Sequence, residues 1–172
     1  MEIEKPLANE FANFYRGYTA QVGDEKVVEF IARQATEFAE YLKNIDDAKM
    51  DYRYGEDKWT VAQVLGHIID TERVMSYRIL RFSRKDKTPI AGFEENDYVM
   101  NADFQNRSKS SLMNEFNALR SANYEMISNL SEDQTLLTGE SNGAIFSVRA
   151  LIYILAGHVA HHWMILRTRY EV

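Results

Sequence analysis

The sequence predicts an all-α protein, a four-helix bundle with long crossover links. Four stretches of about twenty residues repeat apolar side chains at steps of three and four, the spacing of one helix face: 24–44, 60–83, 108–130 and 147–168. Two irregular links, 84–106 and 131–146, argue against the simplest up-down-up-down connections. The length of 172 residues favours a single domain. We expect an N-terminal strap over 1–23 and the bundle over 24–170.

Local signals mark the ends of these elements. Asp24 is the predicted N-cap of the first helix, and Thr60 with Gln63 predicts a capping box for the second. The strap is too aromatic for a free tail, so we expect it to dock on the core. The link 84–106 favours a helical turn near Glu94–Met100.

The second link and the last helix have their own signals. Asn142-Gly143 favours a tight turn within a small hairpin. Ser147 is the predicted N-cap of the fourth helix. That helix is apolar on most faces, which predicts a central position in the bundle.

Composition excludes several classes of protein. The chain has no cysteine, so it has no disulfide, cysteine zinc site or cysteine nucleophile. Its net charge of −6 at pH 7 argues against a nucleic-acid partner. No apolar run is long enough to span a membrane, and the acidic first residues do not fit a signal peptide. We expect a soluble, cytoplasmic protein.

The four histidines are the strongest chemical signal. His158, His161 and His162 lie in one run on the fourth helix, and His67 lies on the second. Residues four apart share a helix face, so His158 and His162 can chelate one ion, although His158 and His161 can also pair. At about 100° per residue, His158 and His162 lie inside the apolar stripe and His161 lies at its edge.

This pattern predicts a metal site of His67, His158 and His162, with His161 as a nearby proton carrier. Zn²⁺, Ni²⁺ and Fe²⁺ all accept imidazole ligands. The competing interpretation is that the histidines are structural. Gly66 and Gly157 each precede a proposed ligand, which indicates either room for a ligand or close helix packing.

Three other residues of the second helix are candidates for the site. Glu72 projects from the apolar stripe, so it is either a general base or the partner of an arginine such as Arg120 or Arg149. Asp70 can orient His67 or a substrate, or simply face water. Arg78 is either a solvated arginine or a group that binds an anionic substrate or cofactor.

Several motifs together resemble the DinB superfamily, in its mostly uncharacterised bacterial branch. The resemblance runs from about Phe11 to Tyr170, and its motifs are K-W-T at 58–60, G-H-I-I-D-T-E-R at 66–73, Y-R at 77–78, R-F-S-R at 81–84, G-F-E-E at 92–95, S-V-R-A-L at 147–151, A-G-H-V-A-H-H at 156–162 and R-Y at 169–170. It implies a four-helix bundle with a long crossover. It also implies a metal site at His67, His158 and His162, an external low-molecular-weight thiol in some members, and a homodimer.

Two classes of function follow. The first is a metal-dependent enzyme that activates a thiol or water for S-transfer or hydrolysis on a small electrophile, with His161, Asp70 or Glu72 moving the proton. The second is a non-catalytic dimeric bundle in which the histidines are structural or sense a ligand. A shared fold does not decide between these functions.

Overall fold

Seven α-helices and one hairpin make up the fold in a computed structural model that describes residues 2–172. The elements are α1 (Arg16–Ala20), α2 (Val27–Asn44), α3 (Val61–Ser83), α4 (Glu95–Asn101), α5 (Lys109–Ser128), α6 (Glu132–Leu136), β1 (Thr138–Ser141), β2 (Ala144–Ser147) and α7 (Val148–Thr168). Within the described part of the chain, no helix is long and apolar enough to cross a membrane.

The four long helices form the bundle that the sequence predicts. Helix α2 packs against α5 and α7, and α3 packs against the same two helices. Helices α2 and α3 therefore occupy opposite corners, as do α5 and α7. The chain crosses between opposite corners twice, from α2 to α3 and from α5 to α7, which confirms a bundle with crossover links. Of the two links that the sequence analysis named, 131–146 belongs to a crossover, whereas 84–106 joins the neighbouring helices α3 and α5.

Side-chain caps set two helix starts where the sequence predicts them, those of α3 and α7. The backbone N–H of Gln63 donates to Thr60 Oγ1 at 3.2 Å, and the backbone N–H of Thr60 donates to Gln63 Oε1 at 2.9 Å. Ser147 Oγ accepts from the amide of Ala150. Each cap satisfies a backbone donor that the first helical turn leaves free.

The predicted cap at Asp24 is wrong. Helix α2 begins at Val27, and its N-cap residue is Lys26. The backbone of Lys26 is extended, and its side chain makes no capping hydrogen bond. Asp24 still belongs to the turn that follows α1, where Gly23 has a φ of 63°. Glu25 and Lys26 lead out of this turn, so the helix cannot begin before Val27.

The links contain more structure than periodicity indicates. Helix α4 confirms the predicted helical turn, and the hairpin turns at Asn142 and Gly143, whose φ angles are 50° and 71°. The sequence analysis missed α6. A capping box of Ser131 and Gln134 begins that helix and was the available signal.

Two apolar clusters fill the bundle, and a polar layer separates them along every long helix. The polar layer consists of Gln34, Glu72, Arg120, Asn123 and His158. Arg120 donates to Glu72 Oε2 at 2.7 Å and to Gln34 Oε1 at 3.1 Å. Buried polar groups need such partners, so this layer sets the register of the helices at mid-height.

The strap packs along α7 and covers the polar layer from one side. Arg149 on α7 forms ion pairs with Glu10 and Glu4, and Ser147 Oγ donates to Glu10 at 2.6 Å. These contacts hold residues before α1 against the start of α7.

Candidate metal centre

Three histidines converge at the polar layer. His67 on α3 faces His158 and His162 on α7, and the three ring centroids lie 4.5–4.8 Å apart. Each residue offers one nitrogen, and these nitrogens lie within 4.8 Å of one another. His67 Nε2 and His158 Nε2 are 3.0 Å apart. Two nitrogens bonded to one ion at about 2.0–2.1 Å lie roughly 3 Å apart, so this spacing fits a shared ion.

Helix geometry explains why these histidines meet. His158 and His162 are one turn apart on α7 and share its face toward α3. His161 points elsewhere: it is half-buried, with its ring 5.1 Å from that of Tyr18. Of the two pairings left open by the sequence, the structure therefore brings His158 and His162 together with His67.

Burial makes the three imidazoles good metal donors. They are 3%, 4% and 9% exposed in chain order. Burial lowers the pKa of His67 to about 4, with a further contribution from His161. Burial, followed by the neighbouring imidazoles, holds the pKa values of His158 and His162 well below their ordinary range. All three rings are therefore neutral at pH 7, as metal coordination requires.

The two glycines next to His67 and His158 allow close packing. A Cβ on Gly157 would overlap the backbone carbonyl of Tyr18, and a Cβ on Gly66 would overlap the Phe104 ring. Of the two interpretations of these glycines, the structure supports close packing. The glycine at 157 lets the strap approach α7 beside His158.

Glu72 bonds to α5 within the polar layer and makes no hydrogen bond to the three histidines in the described structure. Its Oε2 accepts from Arg120 at 2.7 Å, and its Oε1 accepts from Asn123 at 2.9 Å. Both carboxylate oxygens therefore have partners, and the pair with Arg120 is the ion pair that the sequence analysis considered. Arg149, the other candidate partner, pairs with Glu10.

The other two candidates of α3 occupy different environments. Asp70 is half-buried near the charged groups of Arg73, Arg107 and Glu115, and burial raises its pKa. It makes no hydrogen bond to His67 in the described structure. Arg78 is not solvated, because it is only 1% exposed.

Glu95 and Tyr18 lie beside the histidine group, although the sequence analysis did not select them as site residues. Glu95 Oε2 is 4.0 Å from His67 Nε2, and burial raises the pKa of its carboxyl. The Tyr18 ring packs edge-on against His158 with centroids 5.4 Å apart. The G-F-E-E motif was the only available signal for Glu95, and nothing in the local sequence linked Tyr18 to α7.

A cavity of about 360 Å³ opens beside His158. Helices α3 and α7, the strap, the link 93–96 and the hairpin all contribute to its wall, which is rich in aromatic rings: Phe14, Tyr15, Tyr18, Phe93 and Phe146. This arrangement places a partly open cavity against one edge of the histidine group. A small molecule can therefore lie next to the histidines.

A family model agrees with this combination of fold and histidines. The model, described as DinB superfamily, matches residues 31–166. The chain belongs to the DinB superfamily. No curated protein sequence matches the chain significantly.

Two solved structures share the DinB fold seen here. YfiT from Bacillus subtilis, described as a probable metal-dependent hydrolase with an unusual four-helix bundle topology, has a TM-score of 0.72 at 16% identity. The match covers 93% of this chain and 87% of YfiT. A mycothiol-dependent maleylpyruvate isomerase has a TM-score of 0.64 at 13% identity, over 80% of this chain and 58% of that one. At such identities the likeness shows the fold alone.

Proposed function

We propose that this DinB-superfamily protein is a divalent-metal-dependent enzyme that activates water or an external thiol for attack on a small electrophile. The observation that carries this proposal is the group of three buried histidines at the edge of a cavity. Zn²⁺, Ni²⁺ or Fe²⁺ would bind to His67, His158 and His162. When bound, such an ion lowers the pKa of a coordinated water or thiol and supplies the nucleophile.

The geometry favours a catalytic centre over a closed structural one. Structural zinc sites use four protein ligands, whereas catalytic sites use three and keep one position open. In residues 2–172, only His67, His158 and His162 form a group of three or more ligand residues. Glu95 lies near His67 but outside that group, with its side chain 53% exposed.

His161 and Glu95 are the groups that we assign to proton movement. His161 adjoins His162 in sequence, and their ring centroids are 5.1 Å apart. Glu95 reaches the centre from α4, at the cavity wall. Glu72 instead holds α3 to α5 through Arg120, and Asp70 lies among charged groups of α3 and α5.

The cavity accommodates either version of the reaction. The link 84–106 contributes Phe93 to Asn96 to its wall, and we assign the binding of an external thiol to this part of the cavity. The description of the isomerase as mycothiol-dependent supports thiol transfer, and that of YfiT supports hydrolysis. The family resemblance also supports a homodimer, and the cytoplasmic location expected from the sequence remains part of the proposal.

The alternative is a non-catalytic bundle in which a metal is structural or absent. Glu95, 4.0 Å from His67, is the described carboxylate that would close the site as a fourth ligand. Loaded with Co²⁺, a closed site would show the same visible spectrum with and without added thiol. An open site would change its spectrum when the thiol binds.

Elemental mass spectrometry on purified protein tests the metal site. We expect about one equivalent of metal in the wild type and none in His158→Ala or His162→Ala. His161→Ala is the matched control, because it removes the same side chain from the same helix outside the ligand group; it should keep its metal. A folded His162→Ala variant with a full equivalent would refute the assignment.

Turnover assays then separate the two reactions. The metal-loaded protein is assayed on an activated ester, and on a thiol-reactive electrophile with and without a low-molecular-weight thiol. Metal-dependent turnover that His162→Ala abolishes supports the enzyme. A thiol requirement selects transfer, and ester cleavage without thiol selects hydrolysis. Equal turnover by wild type and His162→Ala would exclude the proposed mechanism.

A further inference from the structure

Two hydroxyl groups at the cavity have no partner within the protein. Thr71 on α3 and Ser141 on β1 both line the cavity and are 3% and 0% exposed. Neither hydroxyl oxygen has a hydrogen-bond partner in residues 2–172. Native proteins leave few buried hydroxyls unpaired, so this pair points to a ligand that supplies the missing acceptor.

A buried positive charge lies behind the same wall. Arg78 follows Thr71 by two helical turns on one face of α3, and no carboxylate lies within 4.0 Å of its guanidinium in the described residues. Its Nη1 donates to the Met75 sulfur at 3.7 Å, and its Nε has no partner. Met75 itself lines the cavity. By contrast, buried Arg120 and Arg149 both have carboxylate partners.

The cavity extends from the histidines toward the hairpin. On α3, Thr71 and Met75 lie one and two turns after His67, about 6 and 12 Å along the helix axis. On α7, Ile154 lies one turn before His158 and also lines the cavity. Ser141 comes from the hairpin. The unpaired hydroxyls and the arginine are therefore displaced from the histidines toward one end.

We infer that the hairpin end of the cavity binds an anionic oxygen group, a carboxylate or phosphate, on the part of the substrate remote from the reacting atom. Thr71 and Ser141 donate hydrogen bonds to it, and Arg78 supplies the compensating charge. The aromatic wall favours an aromatic or apolar body for that substrate. This inference rests on the proposed function, because the same molecule would present its reactive atom at the histidines.

Calorimetric titration with three simple probes tests the inference on the metal-loaded 172-residue chain. The probes are benzoate, phenylphosphonate and the neutral amide benzamide, which share an aromatic ring and differ in charge. We expect at least one anion to bind roughly tenfold or more tightly than benzamide. Binding of benzoate alone identifies a carboxylate site, and binding of phenylphosphonate alone identifies a phosphate site.

Matched variants locate the anion. Thr71→Val and Ser141→Ala should each weaken anion binding roughly tenfold and leave benzamide binding unchanged. Ser128→Ala is the control, because Ser128 also has an unpaired buried hydroxyl but lies outside the cavity. We expect it to bind like the wild type. Arg78→Met should lose anion binding and unfold at an equal or higher urea concentration, since it removes an uncompensated buried charge.

His162→Ala separates this inference from the proposed function. If the anion binds at the hairpin end, this metal-free variant still binds it, even if the enzyme proposal fails. Loss of anion binding in His162→Ala would show that the metal holds the anion and would overturn the inference. Equal affinity for benzamide and the anions, or no binding of any probe at millimolar concentration, would also overturn it.

Discussion

The carbonyl of Tyr18 lies against the backbone of Gly157, at a distance that leaves no room for a Cβ on α7. This contact joins the strap to the helix that carries two of the three histidines. It lies one residue before His158, and the Tyr18 ring packs on His158 and His161. The strap therefore forms part of the wall of the candidate metal centre.

Gly157→Ala should destabilise the protein and weaken its metal binding. The added methyl would overlap the backbone carbonyl of Tyr18, which cannot rotate away as a side chain can. We therefore expect the free energy of unfolding, measured in urea, to fall by ~1–3 kcal/mol. Gly17→Ala is the control, because nothing lies within 4 Å of its Cβ position. Unchanged stability and zinc affinity in Gly157→Ala would contradict the close contact.

Glu72→Gln should strongly destabilise the bundle, because it leaves the Arg120 charge buried without its carboxylate partner. Breaking a buried ion pair on one side costs ~3–5 kcal/mol. Glu37→Gln breaks an exposed pair with Arg33, and should cost ~1 kcal/mol or less. Urea unfolding measures both. Similar losses in the two variants would show that the polar layer contributes no more than a surface pair.

Metal should stabilise the native state by mass action. At a free Zn²⁺ concentration a thousandfold above the dissociation constant, the free energy of unfolding should rise by about 4 kcal/mol. The rise should disappear with a chelator and in His158→Ala, and persist in His161→Ala. A zinc-induced rise of equal size in His158→Ala would place the bound ion elsewhere.

The strap should make stability depend on pH through Glu10. The hydrogen bond and charge of Arg149 hold the pKa of Glu10 below its ordinary value of 4.5. A carboxyl with a lowered native pKa stabilises the fold above its unfolded pKa, and this contribution is lost as pH falls through the native pKa. We expect Glu10→Gln to be ~1–3 kcal/mol less stable than the wild type at pH 7.

That difference should shrink progressively below about pH 4.5, where the wild-type carboxyl also becomes neutral. Metal-free protein at matched pH values isolates the effect, because the histidines contribute equally to both chains. Urea unfolding at a series of pH values provides the measurement. A difference that stays constant down to the acid limit would mean that the Glu10 charge does not hold the strap.

Much of the helical framework followed from local sequence. Thr60 and Gln63 act on each other across one turn, and Ser147 caps its own helix, so no distant residue was needed to predict them. Asn142-Gly143 likewise carries its own turn geometry. The predicted cap at Asp24 was wrong because Asp24 belongs to the turn after α1, which the local sequence did not reveal.

Some residues of the candidate site could likewise be predicted from local sequence, and others could not. The spacing of His158 and His162 on one helix indicated a shared ion before their neighbours were known. Glu95 and Tyr18 come from the link and the strap, whose positions no helical periodicity describes. For Arg78 the sequence left two alternatives, a solvated arginine or a group that binds an anion. The packed structure buries it without a carboxylate partner, which excludes the solvated alternative only.

The sequence alone predicted the four long helices, the side-chain caps of two of them and the placing of His158 and His162 on one helix face. These features depend on residues within a few positions of one another along the chain. Only the tertiary structure decided which carboxylate lies near the histidines, which hydroxyls line the cavity and which arginine is enclosed. The physical reason is that a helical pattern shows which face of a helix is apolar but not what covers its other faces. What covers them depends on where the strap, the link and the hairpin pack.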